Sequence, residues 1–428
     1  MTSRTYDVIV FGATGYLGPL ISRYLSANAP DSLRWAVAGR DSDKLHNLCD
    51  YLQEEFPQRK APAVLVATLD PCDLDRLASS TRLVLNLVGP FSKYGTPVIK
   101  ACIRNSTAYV DSTGEHTWSH EIATTLHDEA VSHKAPIIPH CAIECAPPDI
   151  MTHLLVKKAR EANLVPAGPV YFSIDHTWPG YSGGTIVAIL GVLSSYSLSQ
   201  MNASSAPLAS CVSDAGPNTP PSVALLPVRY DSFLGPLTFN PSAMADRSVV
   251  MRTWSLLQRY GSVGEKYGER FMFQGYARTS NLVNGWLSFI GTSLMTLFVV
   301  FVPPLQRFLA SIAPAPGTGP HVDETDKHYV EWRAILQASS PDESKPSARI
   351  TGVLRMEKDV YSCCAVLVGE AALSVLEVLD HGDSTSLVGK LQGGVLTPAA
   401  IGATYIDRLQ RENLHVVIDL KTPGGGKP

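Results

Sequence analysis

Residues 8–18 read VIVFGATGYLG, a short apolar run rich in β-branched side chains that passes directly into Gly12, Gly15 and Gly18. Such a run reads as a buried strand, and the residues after Gly15 read as a helix start. Each glycine has a separate physical task. Gly12 permits a tight turn, Gly15 lets the backbone approach a pyrophosphate, and Gly18 lets the helix lie close to the strand. Phosphates would then sit at the helix N-terminus, where unpaired N–H groups point outward. The turn Gly12, Ala13, Thr14, Gly15, Tyr16 and Gly18 is therefore the first candidate for binding a dinucleotide.

Outward from this turn, β-branched runs alternate with helix-length amphipathic stretches. Strands are expected near 6–12, 33–38, 62–68, 82–88, 107–110 and 136–139, with helices near 16–28, 42–55, 73–79, 95–104 and 118–133. Right-handed crossovers would make these one doubly wound parallel sheet, a Rossmann domain over residues 1–146. After Pro147 and Pro148 the rhythm changes, and a second, α+β domain is expected over 147–392. Its later part carries strand-like segments near 328–338 and 347–356 and a helix near 365–379. Residues 393–420, a helix near 398–411 and the strand HVVIDL, should return to the first domain. The tail 421–428, KTPGGGKP, has nothing to bury and should be disordered.

Bulk properties remove several function classes. The net charge of -4, with acids and bases interspersed, offers no basic stripe for a nucleic acid. Eight cysteines lack paired CxxC spacings, so reduced thiols are expected. His140, Cys141 and Cys145 have metal-like spacing, but no second cluster completes a site, so no metal is expected. No HExxH is present, and no tyrosine has the Lys four residues on that short-chain dehydrogenases use. With no apolar leader after Met1, the protein is expected to face the cytosol.

The second strand ends in AGRDSDKL, where an NAD-preferring domain usually places an acid. Gly39 and Arg40 stand there instead. Arg40 can pair with a 2′-phosphate through its planar fork and Lys44 can add charge, which points to NADP(H). Asp41 has two readings, cap of the next helix or ribose ligand. The fourth strand runs into NLVGPFSKYG, so Asn86, Gly89 and Pro90 fall in the crevice beside the nicotinamide. YVDSTGEHTW follows the fifth strand and brings Asp111, Glu115 and His116 to the same rim, as acids or as turn and cap residues.

One segment fits neither domain. Between Arg278 and Arg307 no residue is charged, and GWLSFIGTSLMTLFVVFVPP is dense in Leu, Phe and Val. A membrane anchor, a buried core helix and the wall of a substrate tunnel are the three readings of 279–306.

GATGYLG, AGRDSDKL, NLVGPFSKYGTPVIKAC and YVDSTGE together resemble the saccharopine dehydrogenase-like oxidoreductases. SGGT at 182–185, FNPSAMADRSVVMRTW at 239–254, YGERFMF at 267–273, PAPGTGP at 314–320 and GGVLTPAAIGATYIDRL at 393–409 extend the likeness in order along the chain. HCAIECAPPD at 140–149 and Val360 depart from the family pattern. The resemblance implies a Rossmann domain joined to a β-rich one, and includes trans-acting enoyl reductases and proteins attached to membranes or lipid droplets. The expected activity is NADPH-dependent reduction of an activated C=C bond in an acyl or polyketide chain carried by a synthase. Tyr94, His116 or water would protonate the α-carbon, with Glu115 as a further candidate acid. Reduction of a C=N or C=O bond, or a weakly catalytic lipid-surface protein, are the alternatives, and a homodimer is an open assembly.

Overall fold

The structure, a computed structural model, describes residues 4–177, 180, 182–220, 226–302, 304–305, 308, 311, 315, 317–320, 327–340 and 348–421. Residues 422–428 of the expected tail, and 303, 306 and 307 at the end of the apolar segment, lie outside them.

Six strands open the chain: β1 (Tyr6–Phe11), β2 (Trp35–Gly39), β3 (Ala63–Val66), β4 (Thr81–Asn86), β5 (Ala108–Asp111) and β6 (Pro136–Ile138). Their order is β6-β5-β4-β1-β2-β3 and every pairing is parallel. The strand pleat explains why both faces are covered. Val8 and Val10 enter one core with Leu45, Leu48 and Leu52 of helix Ser42–Glu55, while Ile9 and Phe11 enter another with Leu74, Val98 and Trp118. Alternate residues of a strand point to opposite faces, so a strand buried on both reads as continuously apolar. The stretch expected as one helix near 118–133 is two, His116–Thr125 and His127–Ser132, with Leu126 between them.

The second sheet uses β7 (Val165–His176), β8 (Val228–Asp231), β9 (Gly235–Thr238), β10 (Met272–Arg278), β11 (Val330–Ser339) and β12 (Ala348–Met356). Beyond them come β13 (Gly394–Val395) and β14 (His415–Lys421). The order is β14-β12-β11-β7-β10-β9-β8, with β7 and β10 parallel and the other pairs antiparallel. The fold is thus α/β, a doubly wound parallel sheet joined to a mixed sheet with its own helices.

The two sheets share one core. Helix Ala146–Glu161 lies so close under β12 that a Cβ at Gly352 would fall 2.5 Å from the Met151 sulfur. Helix Val360–His381 crosses to the first domain and covers β4 and β5 beside helix Leu17–Asn28, where a Cβ at Gly369 would fall 2.6 Å from the Tyr24 ring. The return of 393–420 to the first domain is narrower than expected. Gly394–Val395 adds to β6 as a seventh parallel strand, but His415–Lys421 pairs with β12 in the second sheet. Alternation decides this, because Val416 and Ile418 pack on the shared core while Val417 stays exposed, the pattern of an edge strand with one wet face.

Candidate active site

The glycine turn has the geometry its spacing predicts. Gly12 takes φ +88, and a Cβ there would sit 3.0 Å from the Leu87 carbonyl carbon and from Val88. A Cβ at Gly18 would sit 2.2 Å from the Ala13 carbonyl oxygen, so only glycine lets helix Leu17–Asn28 pack on the turn. Among the described residues, the only near atom at Gly15 is the Gly12 oxygen at 3.3 Å, and Gly39 has nothing closer than 3.8 Å. These two positions leave free space rather than filling a core, as a bound dinucleotide requires. Thr14 lies below Gly39, with its Oγ1 among those 3.8 Å neighbours.

Arg40 is exposed and has no hydrogen bond or ion pair among the described residues, so its fork is available to a phosphate. Asp41 takes the capping role: its Oδ1 accepts from the Lys44 N–H at 3.1 Å at the start of helix Ser42–Glu55. The Lys44 ammonium stays exposed, 3.8 Å from the same carboxylate.

The second domain reaches back to this turn. The Tyr16 hydroxyl donates to the Pro320 carbonyl at 2.7 Å, and the Tyr16 ring meets Tyr361 edge-on at 4.9 Å. Burial pushes the Tyr16 phenol up to about 12, so it remains a donor. The Gly183 N–H donates to the Thr318 carbonyl at 3.0 Å, and the Tyr361 hydroxyl holds the Ser182 N–H at 2.7 Å. GYSGG at 180–184 has the G-x-S-x-G spacing of a hydrolase elbow, but Ser182 is buried and caps helix Gly183–Ser195 by accepting from the Thr185 N–H. No histidine bonds to it among the described residues.

Asn86 ends β4 fully buried, donating to the Tyr109 hydroxyl at 3.1 Å and accepting from the Val88 N–H at 3.1 Å. Tyr109 donates in turn to Asp111 at 2.8 Å, and Asp111 also accepts from the N–H groups of Thr113 and His140. Burial pushes the Asp111 carboxyl up to about 7 against those bonds. It organises three loops and does not face the crevice: it is a buried positioning group, not an acid on the rim.

Glu115 is corrected in the same way. Its two oxygens accept from the N–H groups of Phe91 at 2.7 Å and Ser92 at 2.9 Å, so it closes the open N-terminus of helix Phe91–Arg104 just after Gly89 and Pro90. His116 is half-buried with Nε2 3.2 Å from the Ser205 hydroxyl, and burial, with Arg247 nearby, lowers its pKa and keeps it neutral. Tyr94 is half-buried on helix Phe91–Arg104, its ring under the Lys93 ammonium at 5.2 Å.

A further carboxylate, Glu144 of the HCAIECAPPD segment, follows the carboxyl end of β6. It is exposed, has no hydrogen-bond partner among the described residues, and presses on Gly114, where a Cβ would fall 2.0 Å from its Oε2. The walls around it still push its carboxyl up by desolvation. Asp246, on helix Ala243–Tyr260, is buried behind it with Oδ1 unpaired among the described residues, and Glu144 and burial together hold its carboxyl well above the usual range. The sequence reading took this segment only as a departure and a half-formed metal site. Its signal was a carboxylate three residues before paired prolines, in the segment that follows β6.

Residues 8–138 match the family described as Saccharopine dehydrogenase NADP binding domain. The match covers the Rossmann domain. Over nearly the whole length, the chain is 26% identical to a protein named trans-acting enoyl reductase from Mycobacterium ulcerans, covering 96% of this chain and 97% of the relative. A protein of the same name from Mycobacterium leprae is also 26% identical, over 95% and 96% of the two chains. The apo saccharopine dehydrogenase (L-Glu forming) from Saccharomyces cerevisiae shares the fold, with a TM-score of 0.54 at 13% identity over 97% of this chain and 99% of that one. The chain is an oxidoreductase of NADP(H).

Proposed function

We propose that this oxidoreductase reduces an activated C=C bond in an acyl or polyketide chain, acting in trans on a product of a separate synthase. The relatives' name suggests the reaction, and the apolar wall of the crevice carries the choice of substrate. Helix Gly183–Ser195, GGTIVAILGVLSS, has no charged residue and packs on the turn beside the nicotinamide position, where a Cβ at Gly191 would fall 3.2 Å from Pro90. No Lys or Arg occurs from residue 161 to 228. An amino-acid substrate bearing several charges would need cationic partners there, whereas an acyl chain needs only apolar surface.

Bound NADPH supplies the hydride. The chain's own residues hold the cofactor at the Gly12–Gly18 turn, read its 2′-phosphate through Arg40 and Lys44, and exclude water with helix Gly183–Ser195. Tyr94 stands on the helix that opens this crevice.

The same reading places the protein on a lipid surface, with both domains on the cytosolic side. Helix Leu282–Phe301 is 20 residues without a charge, about 30 Å at 1.5 Å per residue. Within it only Gly285 is buried, and exposed apolar side chains cover more than half of its circumference. A second protein copy would cover one stripe, but lipid covers a helix on every open side. Such a surface would also present acyl chains that water cannot carry.

The test is NADPH consumption with trans-2-dodecenoyl-CoA, with the saturated thioester identified by mass. Reduction of an imine or ketone probe but not the enoyl thioester would overturn the substrate reading. Arg40→Ala should weaken NADPH binding about tenfold to a hundredfold while sparing NADH. Equal losses for both cofactors would remove Arg40 from the phosphate site.

A further inference from the structure

The proton that accompanies the hydride has no donor in Glu115 or His116 that the geometry favours, and Tyr94 is half-buried on helix Phe91–Arg104. Glu115 has both oxygens committed to helix N–H groups, and His116 is held neutral beside the Ser205 hydroxyl. Glu144 differs on each count. It follows the carboxyl end of β6, where ligands bind in open α/β sheets. Its carboxyl rests on Gly114, one residue before the Glu115 that fixes the Phe91 and Ser92 backbone after Pro90. Gly114 has no left-handed backbone to explain its identity. It is a seat: any Cβ would occupy the place of the Glu144 oxygen.

We propose that Glu144 is the catalytic acid of the crevice, delivering its carboxyl proton to the α-carbon of the acyl substrate, with Gly114 as its seat and Asp246 as the buried group behind it. This rests on the C=C reading of the preceding section. The balance is simple. Hydride from NADPH forms the C–H bond at the β-carbon, the electron pair of the double bond moves to the α-carbon, and that carbon takes the Glu144 proton. The O–H bond of Glu144 breaks, a carboxylate is left, and water restores its proton.

Desolvation raises the Glu144 carboxyl and favours its protonated form. The titratable groups facing Glu144 are Asp246 from helix Ala243–Tyr260, Cys364 from helix Val360–His381 and Cys145 from its own segment. No cation pairs with it among the described residues. Asp246 is buried with one oxygen unpartnered, and desolvation together with the nearby Glu144 charge holds its carboxyl well above the usual range.

Two measurements on the full chain test this, one of them without substrate. An oxidised nicotinamide ring is cationic, so a neighbouring carboxyl must couple to it. NADP+ affinity of the wild type should tighten as pH rises through the Glu144 titration, and Glu144→Gln should be flat over the same range. With trans-2-dodecenoyl-CoA, Glu144→Gln should lose roughly a hundredfold in kcat with NADPH affinity unchanged, and Glu144→Asp should recover part of it. Gly114→Ala, which fills the seat and leaves the carboxyl in the chain, should lose kcat as well. A wild type whose NADP+ affinity ignores pH, or a Glu144→Gln enzyme with wild-type kcat and pH profile, overturns the proposal. A wild type that shows the NADP+ coupling but leaves the enoyl probe untouched instead overturns the C=C reading, while keeping Glu144 at the nicotinamide.

Discussion

Helix Leu282–Phe301 and helix Val360–His381 have the same kind of sequence and opposite surroundings. Both are long and apolar enough to cross a bilayer, yet 6% of the first's apolar window is buried and 83% of the second's. Val360–His381 is sheathed by helix Leu17–Asn28, β4, β5 and helix Ala403–Arg411, and it holds a charge in its interior. Glu370 there accepts from the Tyr24 hydroxyl at 2.6 Å and from the Arg408 guanidinium. Leu282–Phe301 is held by its first turns among the described residues. Thr238 donates to the Gly285 carbonyl at 2.7 Å, Phe289 meets Phe239 edge-on, and Leu294, Met295, Leu297, Phe298 and Phe301 are exposed. Hydropathy therefore reports what a helix can bury, while the partners decide where. A buried carboxylate needs preformed donors, and its presence marks the helix that belongs to the core.

The largest expected effect comes from putting a new charge into the sheathed helix. Val368 is fully buried, and Val368→Asp has no donor waiting, so unfolding by denaturant should show a loss of roughly 5 kcal/mol or more. A loss below 1 kcal/mol would mean that the helix is not core.

Next is the charge already present. Glu370→Ala leaves the Arg408 guanidinium without its buried partner, at a cost of about 3 kcal/mol, since Arg408 keeps Glu377 at 3.0 Å. Glu370→Gln, which still accepts from Tyr24, should cost less. Equal costs for the two would show that the ion pair, not the hydrogen bond, holds the helix.

Much of the first domain was legible because its signals are local. Strand, glycine turn and helix follow one another within residues 6–28, and Gly12 and Gly18 have tasks that no other residue performs. The acid was not legible. Glu115 and Glu144 look alike in a sequence, and only the fold shows that one meets two helix N–H groups and the other meets none. The cover of the Rossmann sheet by Val360–His381 was hidden for the same reason, since contacts more than three hundred residues apart leave no periodic trace. The apolar segment was marked correctly as an exception, but its environment was open among three readings. Exposure along Leu282–Phe301 removes the core helix.

The smallest effect on stability, and the sharpest on location, should come from the bare helix. Leu287, Leu294 and Phe298 are exposed, and their spacings of seven and four residues align them in one stripe. Changing all three to Asp touches no packed neighbour, so the denaturation midpoint should stay within about 0.5 kcal/mol of the wild type. NADPH affinity should not change, because the glycine turn lies on the other domain. Sedimentation with phosphatidylcholine vesicles should fall to background, since three carboxylates on the lipid-facing stripe cost far more than the remaining apolar side chains recover. Trp286, about half exposed at the start of the helix, gives an independent signal. Its emission should shift to the blue when wild-type protein meets vesicles and should not shift in the triple variant. A wild-type chain that is monodisperse without detergent, ignores vesicles and keeps its Trp286 emission unchanged would remove the lipid surface and leave Leu282–Phe301 without the partner that its composition demands.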